Sequence, residues 1–131
     1  MGKKKVLVVD DEKSFLEIIK INLEDTGNYE VKVLSSGTHV IAAARAFKPD
    51  VILLDILMPK IDGVEICKMF NEDRERNNIP IIVISALNTD LDKAMMYKLG
   101  IVDFIAKPVD TEELITKMEK AFRKDARPGD V

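Results

Sequence analysis

The fold of this chain is decided by the stretch Val51-Ile52-Leu53-Leu54-Asp55-Ile56-Leu57-Met58-Pro59-Lys60-Ile61-Asp62-Gly63. Its first four residues form a continuous apolar run, which predicts a parallel strand buried on both faces. The strand ends at Asp55, and the chain then turns through Met58-Pro59 and Asp62-Gly63. Ligands of open α/β sheets bind at the carboxyl ends of the strands, so Asp55 is a candidate site residue. A single acid at a strand end is usually only solvated, so the assignment depends on the residues that accompany it.

Apolar runs and helical periodicity predict five strands that alternate with five helices along the rest of the chain. The strands are predicted over residues 5–9, 29–34, 51–54, 81–84 and 102–106. The helices are predicted over residues 14–26, 38–47, 63–73, 90–99 and from 111 to about 124. This alternation is typical of a doubly wound α/β fold. Polar residues alternate with apolar ones in strand 29–34, which predicts a half-exposed edge strand.

The first predicted helix carries more apolar residues than one buried face requires. A helical stripe assigned to the core consists of Phe15, Ile18, Ile19 and Leu23. Leu16 and Ile21 lie off that stripe, either as scattered surface residues or as part of a docking patch.

Composition restricts the class of protein. A chain of 131 residues suits one domain with its own core, and a net charge of −3 with dispersed basic residues argues against direct nucleic-acid binding. No apolar stretch approaches the ~18 residues of a membrane span, and no signal-peptide core follows Lys3-Lys4-Lys5. The single Cys67 cannot form an internal disulfide and fits a reducing compartment, so a cytoplasmic location is expected.

Polar side chains end four of the five predicted strands. The first strand ends at Asp10 and Asp11, the third at Asp55, the fourth at Ser85 and the fifth at Lys107. Each residue alone could be a helix cap, a turn cap or a solvated lysine. Parallel strands present their carboxyl ends at one edge of the sheet, so together the five residues predict a common site.

The chemistry of this set points to a hard cation and a phosphoryl group. Clustered carboxylates repel one another and need a countercharge. Mg²⁺ fits this need because it prefers oxygen ligands. Cys67 and His39 stand apart and offer no site for a soft metal. Beside Mg²⁺, Asp55 could act as a nucleophile that forms an aspartyl phosphate. Lys107 would neutralise charge on the phosphoryl oxygens, and Ser85 would donate a hydrogen bond to one of them.

The chain resembles the receiver domain of two-component response regulators. The residues that carry the resemblance are Asp10-Asp11, Asp55, Met58-Pro59, Asp62-Gly63, Ser85-Ala86 and Lys107-Pro108, in matching order across residues 4 to about 124. The resemblance implies a flavodoxin-like sheet with strand order 2-1-3-4-5. It also implies a receiver domain over residues 1–126, followed by a flexible tail or the start of a linker over 127–131.

The resemblance assigns Asp55 as the phosphoacceptor and implies that Asp10, Asp11 and Asp55 hold Mg²⁺ with the backbone carbonyl of Leu57. Leu57 and Leu87 lie two residues beyond Asp55 and Ser85. Both are apolar and cannot orient a water for attack on the acyl phosphate, so slow self-dephosphorylation is expected.

The remaining implied roles concern phosphate contact and switching. Ser85, the backbone of Ala86 and Lys107 would contact the phosphoryl group. Phe104 would be the aromatic switch residue, turning inward when Ser85 moves, although it could equally be an ordinary core aromatic. The Lys107–Pro108 peptide bond is expected to be cis.

The favoured function is a signalling switch in which the phosphohistidine of a sensor histidine kinase, or of a phosphotransfer protein, donates to Asp55. Phosphorylation would shift the populations of the conformations of one face, which is built by the predicted fourth helix, fifth strand and last helix. The expected partners are the kinase, docking near the first helix, and an output domain or downstream protein. A phosphorylation-dependent homodimer is also open, whereas direct nucleic-acid or membrane contact is not expected.

Two other functions fit the sequence less well than this one. A Mg²⁺-dependent phosphatase with an aspartyl nucleophile usually carries a second Asp where this chain has Leu57, and there is no room for a cap domain. A flavodoxin-like cofactor module would need a Gly-rich or hydroxyl-rich phosphate loop where Asp10-Asp11 stands. Whether the chain is a stand-alone receiver or part of a longer regulator stays open.

Overall fold

A computed structural model of the chain describes residues 2–56, 63–72, 79–86, 94, 97–98 and 100–123. The strands are β1 (Lys4–Val9), β2 (Tyr29–Leu34), β3 (Val51–Asp55), β4 (Ile81–Ser85) and β5 (Asp103–Ala106). The helices are α1 (Lys13–Glu24), α2 (Val40–Phe47), α3 (Gly63–Glu72) and α4 (Thr111–Arg123). The predicted helix over residues 90–99 lies mostly outside the described residues. Within it, the described residues Ala94, Tyr97 and Lys98 are helical.

The five strands form one parallel sheet in the order β2-β1-β3-β4-β5, which confirms the predicted doubly wound fold. Every residue of the central strand β3 is buried, as its continuous apolar run predicted. Strand β2 lies at the edge of the sheet, where its first four residues alternate between buried and exposed.

Each face of the sheet has its own hydrophobic core, because successive side chains of a strand point to opposite faces. On one face α2 and α3 pack against strand residues that include Leu7, Ile52 and Leu54. On the other face α1 and α4 pack against a set that includes Val8 and Leu53. Helices therefore cover both faces, and the strands end at the edge where Asp10, Asp55 and Ser85 lie.

Helix α1 buries a different stripe from the one that its sequence suggested. Leu16, Ile19 and Leu23 are buried, whereas Ile18 is 58% exposed and Ile21 is 65% exposed. The prediction was therefore wrong for Leu16 and Ile18. The sequence carries two overlapping stripes at helical spacing, and the rotation of α1 on the sheet selects between them.

The outer edge of β2 is capped by side chains of α1. The carbonyls of Asn28 and Leu34 accept hydrogen bonds from the β1 side, so the main-chain groups of Val31 point away from the sheet. Lys20 Nζ donates to the Val31 carbonyl at 2.8 Å, and the Val31 N–H donates to Glu24 Oε2 at 3.1 Å. This pairing occupies the hydrogen-bonding groups at the middle of an otherwise open strand edge.

Helix α4 begins with a side-chain cap, since Asp110 Oδ2 accepts a 3.1 Å hydrogen bond from the Glu113 N–H. Its buried side chains Leu114 and Met118 hold it against the sheet beside α1. Within the described part of the chain, no helix has both the length and the apolar character to cross a membrane.

Candidate functional site

The register of the sheet brings the predicted site residues to neighbouring strand ends. Val9 pairs with Leu54, so Asp10 and Asp55 occupy adjacent positions at the ends of β1 and β3. Ser85, the last residue of β4, pairs with Ala106, and Lys107 follows directly. The parallel order predicted from the sequence therefore gathers these groups at one edge.

Three carboxylates form the acidic part of the site. One oxygen each of Asp10, Asp11 and Asp55 lies within 4.8 Å of the others. Asp10 and Asp55 are buried, with 1% and 4% exposure, whereas Asp11 is exposed and opens the cluster to solvent. An all-oxygen set of carboxylates fits Mg²⁺, which commonly takes one or two carboxylates and retains water ligands. Leu57, whose carbonyl the resemblance adds to this set, lies outside the described residues.

The ammonium of Lys107 supplies the positive charge of the site. Its Nζ lies 2.8 Å from Asp10 Oδ2, 2.8 Å from Glu12 Oε1 and 3.7 Å from Asp55 Oδ2. It also lies 4.8 Å from the centroid of the Phe15 ring. Buried carboxylates need a nearby countercharge, and Lys107 provides one for both Asp10 and Asp55.

The pKa of Lys107 reflects two opposed effects. Burial by itself lowers the pKa, because it disfavours the charged ammonium. The carboxylates of Asp10 and Glu12, each 2.8 Å from Nζ, and the negative charge of Asp55 outweigh burial and raise the pKa above its ordinary value. Lys107 is therefore a permanent cation at physiological pH.

The predicted phosphate-contacting and switch residues lie around this cluster. Ser85 is fully buried, and its carbonyl accepts a 3.0 Å hydrogen bond from the Lys107 N–H, whereas Ala86 is exposed. The Phe104 side chain is buried, with 5% exposure, in the core that α2 and α3 cover. The Lys107–Pro108 peptide bond is cis. The predicted rate-modulating residue Leu87 lies outside the described residues.

Two residues of the site were missed by the sequence reasoning. Glu12 reaches Lys107, and its N–H donates a 2.9 Å hydrogen bond to Asp10 Oδ1, which orients that carboxylate. The available signal was a third acid following Asp10 and Asp11. Phe15 was assigned only to the core, yet its ring faces the ammonium of Lys107.

An open groove runs beside the site between α1 and the segment that follows β5. Its wall on α1 includes Phe15, Ile18 and Asn22, and the opposite wall includes Pro108 and Thr111. Asn22 Nδ2 and Thr111 Oγ1, 3.4 Å apart, link the two walls. The groove therefore includes one of the two exposed isoleucines of α1, Ile18.

Comparisons with known proteins agree with this arrangement. The family model for the response regulator receiver domain matches residues 6–119. The alkaline phosphatase synthesis transcriptional regulatory protein PhoP of Bacillus subtilis is 36% identical over 121 residues, which cover 92% of this chain and 49% of PhoP. The chain therefore spans about half the length of this relative.

Solved structures give the same result. The chemotaxis protein CheY4 of Vibrio cholerae superposes with a TM-score of 0.84 and 28% identity, covering 92% of this chain and 99% of CheY4. The receiver domain of the Francisella response regulator 1452 gives a TM-score of 0.84 and 30% identity, covering 93% of this chain and 98% of that domain.

Proposed function

This chain belongs to the response regulator receiver domain family, and on that basis we propose that it is the phosphoacceptor switch of a two-component phosphorelay. In this proposal Asp55 accepts a phosphoryl group from a sensor histidine kinase or a phosphotransfer protein, and the chain works as a switch and not as a turnover enzyme. The supporting observation is the buried pair Asp10 and Asp55 beside exposed Asp11 and the Lys107 ammonium, all at one edge of the sheet.

The chemical step needs a nucleophile, a neutralised phosphoryl group and a leaving group. A carboxylate oxygen of Asp55 attacks phosphorus, the P–N bond of the donor phosphohistidine breaks, and the imidazole nitrogen leaves with the electron pair. Lys107 balances negative charge on the phosphoryl oxygens as the group transfers. A Mg²⁺ ion held by Asp10, Asp11 and Asp55, with the Leu57 carbonyl, would supply further positive charge for those oxygens.

The consequences of phosphorylation fall on the neighbouring strand ends. The aspartyl phosphate adds roughly 1.5 to 2 negative charges and strong acceptor oxygens. In the proposed switch Ser85 and the backbone of Ala86 donate hydrogen bonds to the phosphoryl group, and Phe104 adjusts to the new position of Ser85. The buried position of Ser85 supports this coupling, because its hydroxyl cannot shift without affecting packed neighbours.

Partner binding is proposed at two places. The exposed apolar residues Ile18 and Ile21, with the adjacent groove, suit docking of the phosphoryl donor within reach of Asp55. Signal output is proposed through the face that includes β5 and α4, toward an output domain, a downstream protein or a second receiver in a phosphorylation-dependent dimer. A cytoplasmic receiver unit over residues 1–126, with 127–131 as tail or linker, completes the proposal.

The test is direct phosphorylation with a defined donor. Wild type, Asp55→Asn and the control Asp25→Asn, which removes an exposed acid at the end of α1, are incubated with Mg²⁺ and a small acyl phosphate. Intact mass is expected to show one added phosphoryl group on wild type and control, none on Asp55→Asn, and none after chelation of Mg²⁺. An unmodified wild type, or equal labelling of Asp55→Asn, contradicts the proposal.

A further inference from the structure

Glu12 lies at the edge of the site. It is the N-cap position of α1 and is exposed, and its backbone is anchored through the N–H that donates to Asp10 Oδ1. The described acidic cluster that could hold a cation consists of Asp10, Asp11 and Asp55, without Glu12. Its side chain instead turns toward Lys107, with Oε1 lying 2.8 Å from Nζ.

The ammonium of Lys107 lies nearer to Asp10 and Glu12 than to Asp55. Asp10 and Glu12 each lie 2.8 Å from Nζ, at hydrogen-bond distance, whereas Asp55 Oδ2 lies 3.7 Å away and outside it. A phosphoryl group on Asp55 would carry more negative charge and more acceptor oxygens than the carboxylate, and would draw the ammonium toward Asp55. Contact with that group therefore competes with the contact to Glu12.

A bound cation sharpens this competition. A cation held by Asp10, Asp11 and Asp55 would weaken the attraction between Asp10 and Lys107, because its positive charge would repel the ammonium. Glu12, outside the acidic cluster, keeps its full charge. It then remains as the carboxylate that opposes movement of Lys107 toward the phosphoryl group.

We propose that Glu12 is a positioning residue that holds Lys107 away from Asp55 and so limits how tightly the site retains a phosphoryl group. This inference rests on the proposed phosphoacceptor function and deepens it. The Glu12 side chain is 59% exposed, so its contact with Lys107 is a weak ion pair. Removing the contact between Glu12 and Lys107 should change the affinity of the site for a phosphoryl group by about two- to fivefold and not by orders of magnitude.

The experiment measures binding of beryllofluoride, a tetrahedral mimic of a phosphoryl group, by fluorine NMR at saturating Mg²⁺. Glu12→Gln removes the charge but keeps the size, and is expected to bind beryllofluoride about two- to fivefold more tightly than wild type. Glu12→Asp keeps the charge but shortens the reach to Lys107 by one methylene, and the same tightening is expected. The control Glu17→Gln removes an exposed charge from the same helix and should match wild type.

The three variants separate the possible explanations. Tightening in both Glu12 variants, with none in Glu17→Gln, supports the inference, because a contact and not net charge then decides affinity. Glu12→Asp behaving as wild type, or either Glu12 variant binding more weakly, overturns it while leaving the phosphoacceptor function intact. Absence of beryllofluoride binding by wild type overturns both.

Discussion

The hydroxyl of Tyr29 donates a 2.6 Å hydrogen bond to Oε2 of Glu119, which lies 90 residues later in the sequence. Tyr29 is the first residue of β2 and Glu119 lies on α4, so the bond ties the edge strand to the last described helix. Two further contacts extend this one. The ring centroids of Tyr29 and Phe122 lie 6.5 Å apart. The Lys4 ammonium lies 5.3 Å from the centroid of the Phe122 ring. The end of α4 is therefore anchored at the edge of the sheet remote from β5.

Tyr29→Phe is expected to lower the free energy of unfolding by about 1 kcal/mol, because it removes one hydrogen bond and leaves the ring in place. Urea unfolding of wild type and variant measures the difference. Tyr97→Phe is the matched control, since Tyr97 is 47% exposed and its change should be within about 0.5 kcal/mol. Equal losses in both variants would contradict the role given to the Tyr29 hydroxyl.

The stabilisation that the Tyr29 hydroxyl provides is expected to decrease in alkaline solution. Burial raises the pKa of Tyr29, and the hydrogen bond to Glu119 and its negative charge raise it further. The pKa of Tyr29 is higher in the folded state than in the unfolded state, where it is about 10. The hydroxyl therefore contributes fully to the free energy of unfolding below pH ~10, and this contribution is lost as the pH rises above that value. The stability difference between wild type and Tyr29→Phe should therefore shrink between about pH 8 and pH 11. An unchanged difference would mean that Tyr29 ionises equally in both states.

The rotation of α1 is tested by truncating one residue from each apolar stripe. Leu16→Ala is expected to cost about 2–5 kcal/mol, because it leaves a cavity in the core that α1 and α4 cover. Ile18→Ala should change stability by no more than about 0.5 kcal/mol, since Ile18 is 58% exposed. Denaturant unfolding distinguishes this pattern from the reverse one, which the sequence alone favoured.

The cap on β2 is expected to protect the strand edge. In the double variant Lys20→Ala/Glu24→Ala the main-chain groups of Val31 become open to solvent, so exchange of the Val31 amide proton should accelerate. Self-association should also increase, because an uncovered edge can pair with another copy.

Hydrogen exchange by NMR and sedimentation velocity measure these two effects. The matched control is Lys68→Ala/Glu65→Ala, which removes an exposed ion pair of 3.7 Å from α3, away from the strand edge. Unchanged Val31 exchange in the first variant would show that the cap does not shield the edge.

The expected slow self-dephosphorylation depends on Leu57 and Leu87, both outside the described residues. Introducing a group that can orient or activate water, in Leu57→Asn or Leu87→Glu, is expected to shorten the lifetime of the aspartyl phosphate by roughly tenfold. The lifetime is followed by intact mass after removal of the donor, with Leu57→Met and Leu87→Met as size-matched controls. A lifetime that none of the four substitutions alters would refute the explanation.

Much of the fold and part of the site follow from the sequence alone. Apolar runs that end at Val9, Leu54 and Ile84 predicted their strands to within one residue. The family resemblance predicted the order of the strands in the sheet. These features are local, or follow from the rule that parallel strands end at one edge. The same rule explains why Asp10 and Asp55 were correctly expected to lie together.

Tertiary structure decided what depends on how the elements dock. The sequence wrongly favoured Ile18 over Leu16 as a core residue, because both lie on stripes with helical spacing and only the packing of α1 on the sheet distinguishes them. It also could not pair Glu12 with Lys107, which lie 95 residues apart. Such contacts depend on the rotation of a helix and the reach of flexible side chains, which no local pattern encodes.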